Sequence, residues 1–223
     1  MALGIVGRIR DLFSGLNWLI IPAALLAIIF HEISHGYVAY ILGDRTAKNS
    51  GRLTLNPIQH MDILGLLCMI LFGFGWAKPV PVNPYFFKNR KLGMALVSIA
   101  GPVSNLLMAV LSMSVILAIS VLEIENQALI GALNVVMQFF LVFAILNIGL
   151  AVFNLIPIPP LDGSKILFSL LPRRAYGFIL KYERWGMLLL LVLVNVPFFT
   201  AFLTYIREMI FTGIINMLSA IFY

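Results

Sequence analysis

Long apolar segments with very few charged residues dominate this chain and limit what it can fold into. Three apolar segments of membrane-spanning length lie at residues 17–42, 92–122 and 129–153, and two further apolar runs lie at 185–196 and 199–223. A helix needs about 20 apolar residues to cross the hydrocarbon core of a bilayer. Charged residues make up only 11% of the chain, against about 25% in soluble domains. This excludes a soluble enzyme, a disordered chain and a disulfide-stapled module, and it predicts an all-α polytopic membrane protein.

The segments between these spans complete the predicted architecture. Residues 63–76 are apolar but too short to cross a bilayer easily, so we interpret them as re-entrant. Residues 44–62 include the alternating stretch GRLTL, which favours a short strand. Three prolines in residues 77–91 exclude a regular helix and favour extended backbone. We therefore expect a bundle of about five to six transmembrane or re-entrant helices with short extended segments on one side.

Basic residues are unevenly distributed among the loops. The loops at 43–62 and 77–91 together hold seven Lys and Arg residues, the loop at 164–184 holds five, and the loop at 122–128 holds none. Cytoplasmic loops of membrane proteins carry an excess of Lys and Arg, so the first three loops are predicted to be cytoplasmic and the last to lie outside. The net charge of +6 is accounted for in the same way. No basic stripe interleaved with aromatic residues indicates nucleic-acid binding.

The first apolar segment contains the sequence HEISH, with His31, Glu32 and His35. Residues four apart share a helix face, so both imidazoles can bind one metal ion, and Glu32 lies where it can take a proton from water. This HExxH pattern is typical of zinc metallopeptidases. The alternative is a pair of packed histidines beside a salt-bridging carboxylate. However, no Lys or Arg occurs between Trp18 and Asp44 to pair with Glu32.

A catalytic zinc ion usually has three protein ligands and one open position, so two histidines leave one ligand to be found. Asp162 is a candidate because it lies in the proline-broken stretch NLIPIPPLDG, and irregular backbone at membrane depth is tolerated only where it lines protein or a wet cavity. Its alternative role is to cap the helix that begins there. His60 is a weaker candidate, because it sits in a polar loop where a capped loop residue is the ordinary role.

Taken together, these motifs resemble the site-2 protease family of intramembrane zinc metallopeptidases, in its short bacterial and archaeal form. The resemblance covers about residues 28–165 and includes HEISHGY, GRLTLNPIQHMDILG, GWAKPVPVNP, AGPVSN and FNLIPIPPLDG. It implies that His31, His35 and Asp162 bind one zinc ion. It further implies that Glu32 is the catalytic base and that Asn154 positions the substrate or its oxyanion.

The length of 223 residues favours one domain, so we expect a single intramembrane metalloprotease domain over residues 1–223. Within it we expect an interfacial N-terminal segment at 1–15, a catalytic core at 17–165 and a C-terminal helical hairpin at 176–223. Two other asparagines receive weaker expectations. Asn147 lies seven residues before Asn154, where it can line the same cavity or hold helices together, and Asn105 of AGPVSN is expected to make a helix contact.

The expected activity is hydrolysis of peptide bonds in transmembrane or membrane-proximal segments of a membrane-protein substrate with a single span. We expect the protein in a prokaryotic cell membrane, with its active site reached from the cytoplasm. An unwound substrate could pair with the extended segments 45–58 and 77–86 by strand addition. Two rival functions are a membrane zinc transporter, which needs further ligands along the spans, and a non-catalytic scaffold for membrane helices, which does not need Glu32.

Overall fold

The structure is a computed structural model that describes residues 18–62, 65, 78–123, 125–171 and 183–222. Regular structure in these ranges is helical. The α-helices are α1 Ile20–Ile41, α2 Thr46–Asn49, α3 Pro57–His60, α4 Arg90–Ser120, α5 Gln127–Asn154, α6 Asp162–Leu170, α7 Glu183–Leu193 and α8 Pro197–Phe222, with a 3₁₀ turn at Pro84–Phe86. The predicted interfacial segment at 1–15 lies outside the described residues. So does the predicted re-entrant run at 63–76, except for Gly65.

Four of these helices are long and apolar enough to cross a membrane, namely α1, α4, α5 and the Pro197–Ile221 part of α8. They coincide with the predicted spans at 17–42, 92–122, 129–153 and 199–223, and the prediction of an all-α membrane protein is confirmed. Helix α7 has 11 residues. At 1.5 Å per residue it is about 16 Å long, roughly half the thickness of the hydrocarbon core.

Asparagines begin the helices that follow polar loops. The side-chain oxygens of Asn56, Asn89 and Asn126 accept backbone N–H groups in the first turns of α3, α4 and α5. Such caps satisfy N–H groups that have no partner within the helix. Helix α1 ends before Gly43, whose φ of +104° lies in the left-handed region that glycine enters without steric cost. The ends of the spans are therefore set by local sequence.

Helix α4 is the central element and packs against α1, α5, α6 and α8. Small buried residues form much of these interfaces: Ala27 of α1 contacts the cluster around Phe143 of α5, and Ala109 of α4 packs in the cluster with Ala144 of α5. Small residues let helix backbones approach closely in a bilayer, where apolar side chains gain nothing by leaving lipid. This close packing places residues of α4 directly against the middle of α1.

The outer faces of the long helices are apolar. On α4, Leu107 and Leu111 are 56% and 57% exposed, and on α8, Phe202 and Met209 are more than half exposed. In water such surfaces would be a liability, but they suit contact with lipid tails. The helices therefore bury their polar groups against one another and expose their apolar groups.

The prediction of a strand in GRLTL is wrong. Residues 52–56 form bends and irregular backbone between α2 and α3, and the described part of the chain contains no β-strand. The physical reason is Arg52, whose buried guanidinium donates to the carbonyl oxygens of Gln59, Lys78 and Pro79. The chain folds around this side chain, so backbone contacts to a single guanidinium replace a strand ladder.

Candidate metal centre

Three donor atoms from two distant parts of the chain meet inside the helical bundle. His31 and His35 lie one turn apart in α1, and their Nε2 atoms are 3.0 Å apart. Asp162, at the start of α6, places Oδ2 at 3.1 Å from His31 Nε2 and 3.0 Å from His35 Nε2. All three residues are buried. The structure thus brings together the three side chains that the sequence proposed as ligands, and among the described residues they form the one group with this geometry.

Each imidazole makes a hydrogen bond at Nδ1, on the side facing away from the three donor atoms, and this bond shows which ring nitrogen carries the proton. His31 Nδ1 donates to Asn105 Oδ1 at 2.6 Å, and His35 Nδ1 donates to the carbonyl oxygen of Val97 at 2.7 Å. A neutral imidazole that donates from Nδ1 carries a lone pair on Nε2. The lone pairs of both histidines and of Asp162 therefore point at one another.

Three lone pairs that converge in a buried site attract a cation. Protonating both imidazoles instead would place two positive rings with their centroids 4.6 Å apart, with a repulsion of about 4 kcal/mol at an effective dielectric constant of about 20. A zinc ion with bonds of about 2.0 Å to tetrahedral ligands holds those ligands about 3.3 Å apart, close to the separations of 3.0 and 3.1 Å between the donor atoms. Two imidazoles and one carboxylate therefore fit a zinc ion and would leave one of its usual four coordination positions to another ligand.

Asp162 is delivered by a turn that leaves its side chain free for the site. It is the first residue of α6, the N-cap position belongs to Leu161, and no side chain caps this helix. The alternative role of Asp162 as a helix cap is therefore wrong. A Cβ on Gly163 would lie 2.2 Å from the carbonyl oxygen of Leu155, so glycine is required for the turn to fold back against the end of α5.

The second carboxylate oxygen of Asp162 has a different partner. Lys165, one turn along α6, places Nζ at 3.2 Å from Asp162 Oδ1. The positive charge of Lys165 favours the ionised form of the Asp162 carboxyl, which is the form that binds a metal.

Helix α4 closes one side of the site at Gly101. A Cβ there would lie 2.5 Å from His31 Cε1 and 2.6 Å from both Cε1 and Nε2 of His35. No other residue type fits at this position without moving an imidazole or the helix, since real Cβ atoms do not approach so closely. Gly101 is therefore the point at which α4 contacts both proposed ligands.

Glu32 lies beside the cluster but outside it. Its Oε2 accepts a hydrogen bond from the backbone N–H of Val80 at 2.8 Å, and no ion pair of Glu32 occurs among the described residues. Val80 follows Lys78 and Pro79, whose carbonyl oxygens are held by Arg52 at 2.6 and 2.9 Å. The loop before α4 thus orients the carboxylate of Glu32, the residue that the sequence proposed as the base. The other carboxylate oxygen of Glu32 has no hydrogen-bond partner in the described ranges.

The remaining candidates occupy other positions. His60 is buried and donates from Nε2 to the carbonyl oxygen of Thr54 at 2.8 Å, apart from the three converging donor atoms. Asn154 donates its amide to the carbonyl oxygen of Leu150 at 3.0 Å, and no hydrogen bond in the described part joins it to the cluster. Its proposed role is therefore still a prediction.

Sequence reasoning assigned Asn105 only a helix contact and did not connect it with the site. The structure places its oxygen on His31 and its amide on Asn147 and the carbonyl oxygen of Ala27. The roles of Arg52 and of the Val80 N–H were also missed. The one available signal was that AGPVSN places Asn105 four residues after Gly101, on the same face of α4.

Comparisons with known proteins agree with this geometry. The model of Peptidase family M50 matches residues 19–196. The chain is 40% identical over 198 residues to "Putative zinc metalloprotease YwhC" of Bacillus subtilis (strain 168), a match covering 89% of this chain and 90% of that protein. It is 30% identical over 192 residues to Rip2 of Mycolicibacterium smegmatis, which is described in the same terms, covering 83% of this chain and 70% of that protein. No solved structure matches the chain. With most of its length matched, the chain belongs to peptidase family M50, the family of site-2 proteases that its motifs resemble.

Proposed function

We propose that this protein is a zinc metalloprotease of the site-2 type that hydrolyses peptide bonds in transmembrane or membrane-proximal segments of other membrane proteins. The observation that carries this proposal is the convergence of Nε2 of His31, Nε2 of His35 and Oδ2 of Asp162 at 3.0 to 3.1 Å, within a bundle whose long helices are apolar enough to cross a membrane. Two neutral imidazoles and one carboxylate suit zinc in a hydrolytic site. The relatives whose names describe zinc metalloproteases support the same choice.

The protein's own residues account for the proton transfers of peptide hydrolysis. When bound by His31, His35 and Asp162, zinc would supply Lewis-acid polarisation of water and of the substrate carbonyl. Glu32 accepts the proton of the attacking water on the oxygen that Val80 leaves free, and later passes it to the leaving amine. The Val80 N–H stabilises the carboxylate in one orientation, so that the base is positioned before the substrate arrives.

Asn154 is the proposed donor to the substrate carbonyl or its oxyanion. In the structure its amide donates to the carbonyl oxygen of Leu150, one turn earlier in α5. Donation to a substrate therefore requires the amide to rotate away from that carbonyl. Asn154 ends α5 immediately before the turn that delivers Asp162, which supports a place near the reacting peptide.

The hypothesis of strand addition needs revision in both segments. In 45–58 the chain is not extended throughout, because Thr46–Asn49 form α2 and α3 begins at Pro57. In 78–83 most backbone groups are already bonded. The N–H groups of Lys78, Val80 and Asn83 donate to His60, Glu32 and Asp44 respectively, and the prolines at 79 and 81 have no N–H. Val82 alone retains an N–H without a described partner. Arg52 also holds the carbonyl oxygens of Lys78 and Pro79, so this segment offers a substrate strand few free groups for a regular ladder.

We further propose that the site opens towards the cytoplasm of a prokaryotic cell, as the basic loops indicate. Asn49 in the basic loop and Glu125 in the loop between α4 and α5 are both exposed. After replacement of the single cysteine, Cys68, an impermeant thiol reagent should label Asn49→Cys only from the cytoplasmic side and Glu125→Cys only from outside. The opposite pattern would reverse the topology.

The activity is tested with purified protein and a candidate single-span substrate in proteoliposomes. Cleavage should require zinc and stop on addition of a chelator. Glu32→Gln should abolish cleavage while zinc stays bound, because the amide is nearly isosteric but cannot accept the proton. Turnover of this variant within tenfold of wild type would refute the base role. Zinc uptake into the vesicles without proteolysis would favour a transporter, and substrate binding that is insensitive to Glu32→Gln without any cleavage would favour a scaffold.

A further inference from the structure

We propose that Asn105 and Asn147 are positioning residues that determine which nitrogen of His31 carries its proton, and thereby keep the Nε2 lone pair directed at the metal. The proposal rests on the proposed function in one respect, that His31 is taken as a zinc ligand. It assigns a role to two fully buried amides that neither the helix packing nor the family membership assigns.

The polarity of these hydrogen bonds is set first by the backbone of α5. Asn147 Nδ2 donates to the carbonyl oxygen of Phe143 at 2.8 Å. A carbonyl oxygen only accepts, so the amide nitrogen of Asn147 must face Phe143 and its oxygen must face the other way. That oxygen accepts a hydrogen bond from Asn105 Nδ2 at 2.7 Å.

The backbone of α1 sets the polarity a second time. Asn105 Nδ2 also donates to the carbonyl oxygen of Ala27 at 3.2 Å. Both protons of the Asn105 amide are then used, and its Oδ1 faces His31 Nδ1 at 2.6 Å. Since an amide oxygen cannot donate, His31 must donate from Nδ1, and Nε2 is left with its lone pair.

Two independent backbone carbonyls thus specify the same tautomer. Turning either amide over would bring donor against donor and acceptor against acceptor at buried positions, which is unfavourable where no water can take their place. His35 needs no such relay, because its Nδ1 donates directly to the carbonyl oxygen of Val97. For His31 the amides supply the acceptor that a carboxylate often supplies to a ligating histidine, but without adding a negative charge at membrane depth.

Two measurements on purified protein test the relay. Zinc affinity is measured by chelator competition on the metal-free protein, and the tautomer is read by NMR after labelling with ¹⁵N-histidine, which gives signals from only three residues in this chain. Asn105→Leu should weaken zinc binding by about 10–100-fold and remove the preference of His31 for the Nδ1–H form. Asn147→Leu should cause a smaller loss, because the carbonyl oxygen of Ala27 still orients Asn105.

Rescue by a conservative variant separates positioning from packing. Asn105→Asp keeps an acceptor for His31 Nδ1, so it should retain the Nδ1–H tautomer and lose less than about tenfold in zinc affinity. Ser112→Ala is the matched control, because Ser112 is also buried in α4 but donates to Met108 of the same helix. It should leave both readouts unchanged.

Three results would overturn the proposal. One is zinc affinity and a His31 tautomer like wild type in Asn105→Leu. Another is an equal loss in the Asp and Leu variants at position 105, which would show a merely structural role. The third is a zinc affinity like wild type in Asn147→Leu, which also decides the matter if Asn105→Leu does not fold. If wild-type protein bound no zinc, the proposed function would fail, whereas the tautomer of metal-free wild type would still test the relay.

Discussion

Replacing Gly101 by alanine should disable the metal centre, although alanine is the better helix former. Gly101 lies inside α4, where an alanine in open space would stabilise the helix by about 1 kcal/mol. Here the added methyl carbon would lie 2.5 Å from His31 Cε1 and 2.6 Å from His35 Nε2. The two effects have opposite signs, and the geometry decides which is larger.

The required displacement follows from these distances. Ordinary contact with a Cβ atom begins at 3.4 Å, so the imidazole of His31 must move away by 3.4 − 2.5 = 0.9 Å, or α4 must retreat by as much. The rings cannot rotate freely, because Nδ1 of each is held by a hydrogen bond of 2.6 or 2.7 Å to α4 itself. A zinc site tolerates errors in ligand distance of only about 0.2 Å. We therefore expect zinc affinity to fall by about 10–100-fold and activity to fall by about 100-fold.

The assay is chelator competition with proteolysis of a single-span substrate measured in parallel. Gly131→Ala in α5 is the matched control, because a Cβ at Gly131 meets nothing within 4 Å. It should leave zinc affinity and activity unchanged and slightly raise thermal stability. Wild-type zinc binding and turnover in Gly101→Ala would show that the site is looser than these distances indicate, and the argument for a closely packed metal centre would be wrong.

Two further substitution pairs test the site. Asp162→Asn should lower zinc affinity steeply and remove activity, because it takes away the one anionic donor. His60→Ala should keep the metal, because His60 donates to a backbone carbonyl elsewhere. Zinc loss only in the His60 variant would mean that the third ligand is misassigned. Val80→Pro removes the N–H that holds Glu32, and should lower kcat by about tenfold or more with zinc retained. Val82→Pro, which removes an N–H without a described partner, should lower kcat much less, and equal losses in the two variants would remove the role of Val80.

The membrane-crossing helices were predictable because their cause is local. A run of about 20 apolar residues is driven into lipid by its own composition, and the asparagines at 56, 89 and 126 cap helices through groups two or three residues away. The strand prediction in GRLTL failed for the complementary reason. Alternation of apolar and polar residues is also local, but in this chain Arg52 binds carbonyls as far as 27 residues away, and those contacts determine the path of the loop.

The amino-acid sequence by itself determined the pairing of His31 with His35, because a helix repeats every 3.6 residues and residues four apart must share a face. Only the tertiary structure decided what completes the site. Asp162 reaches His31 across 131 residues of chain, Asn105 across 74, and the N–H of Val80 reaches Glu32 across 48. These contacts depend on how closely α4 approaches α1 and on where the turn before α6 folds back. Both are set by packing among helices, which no periodicity within one segment can specify.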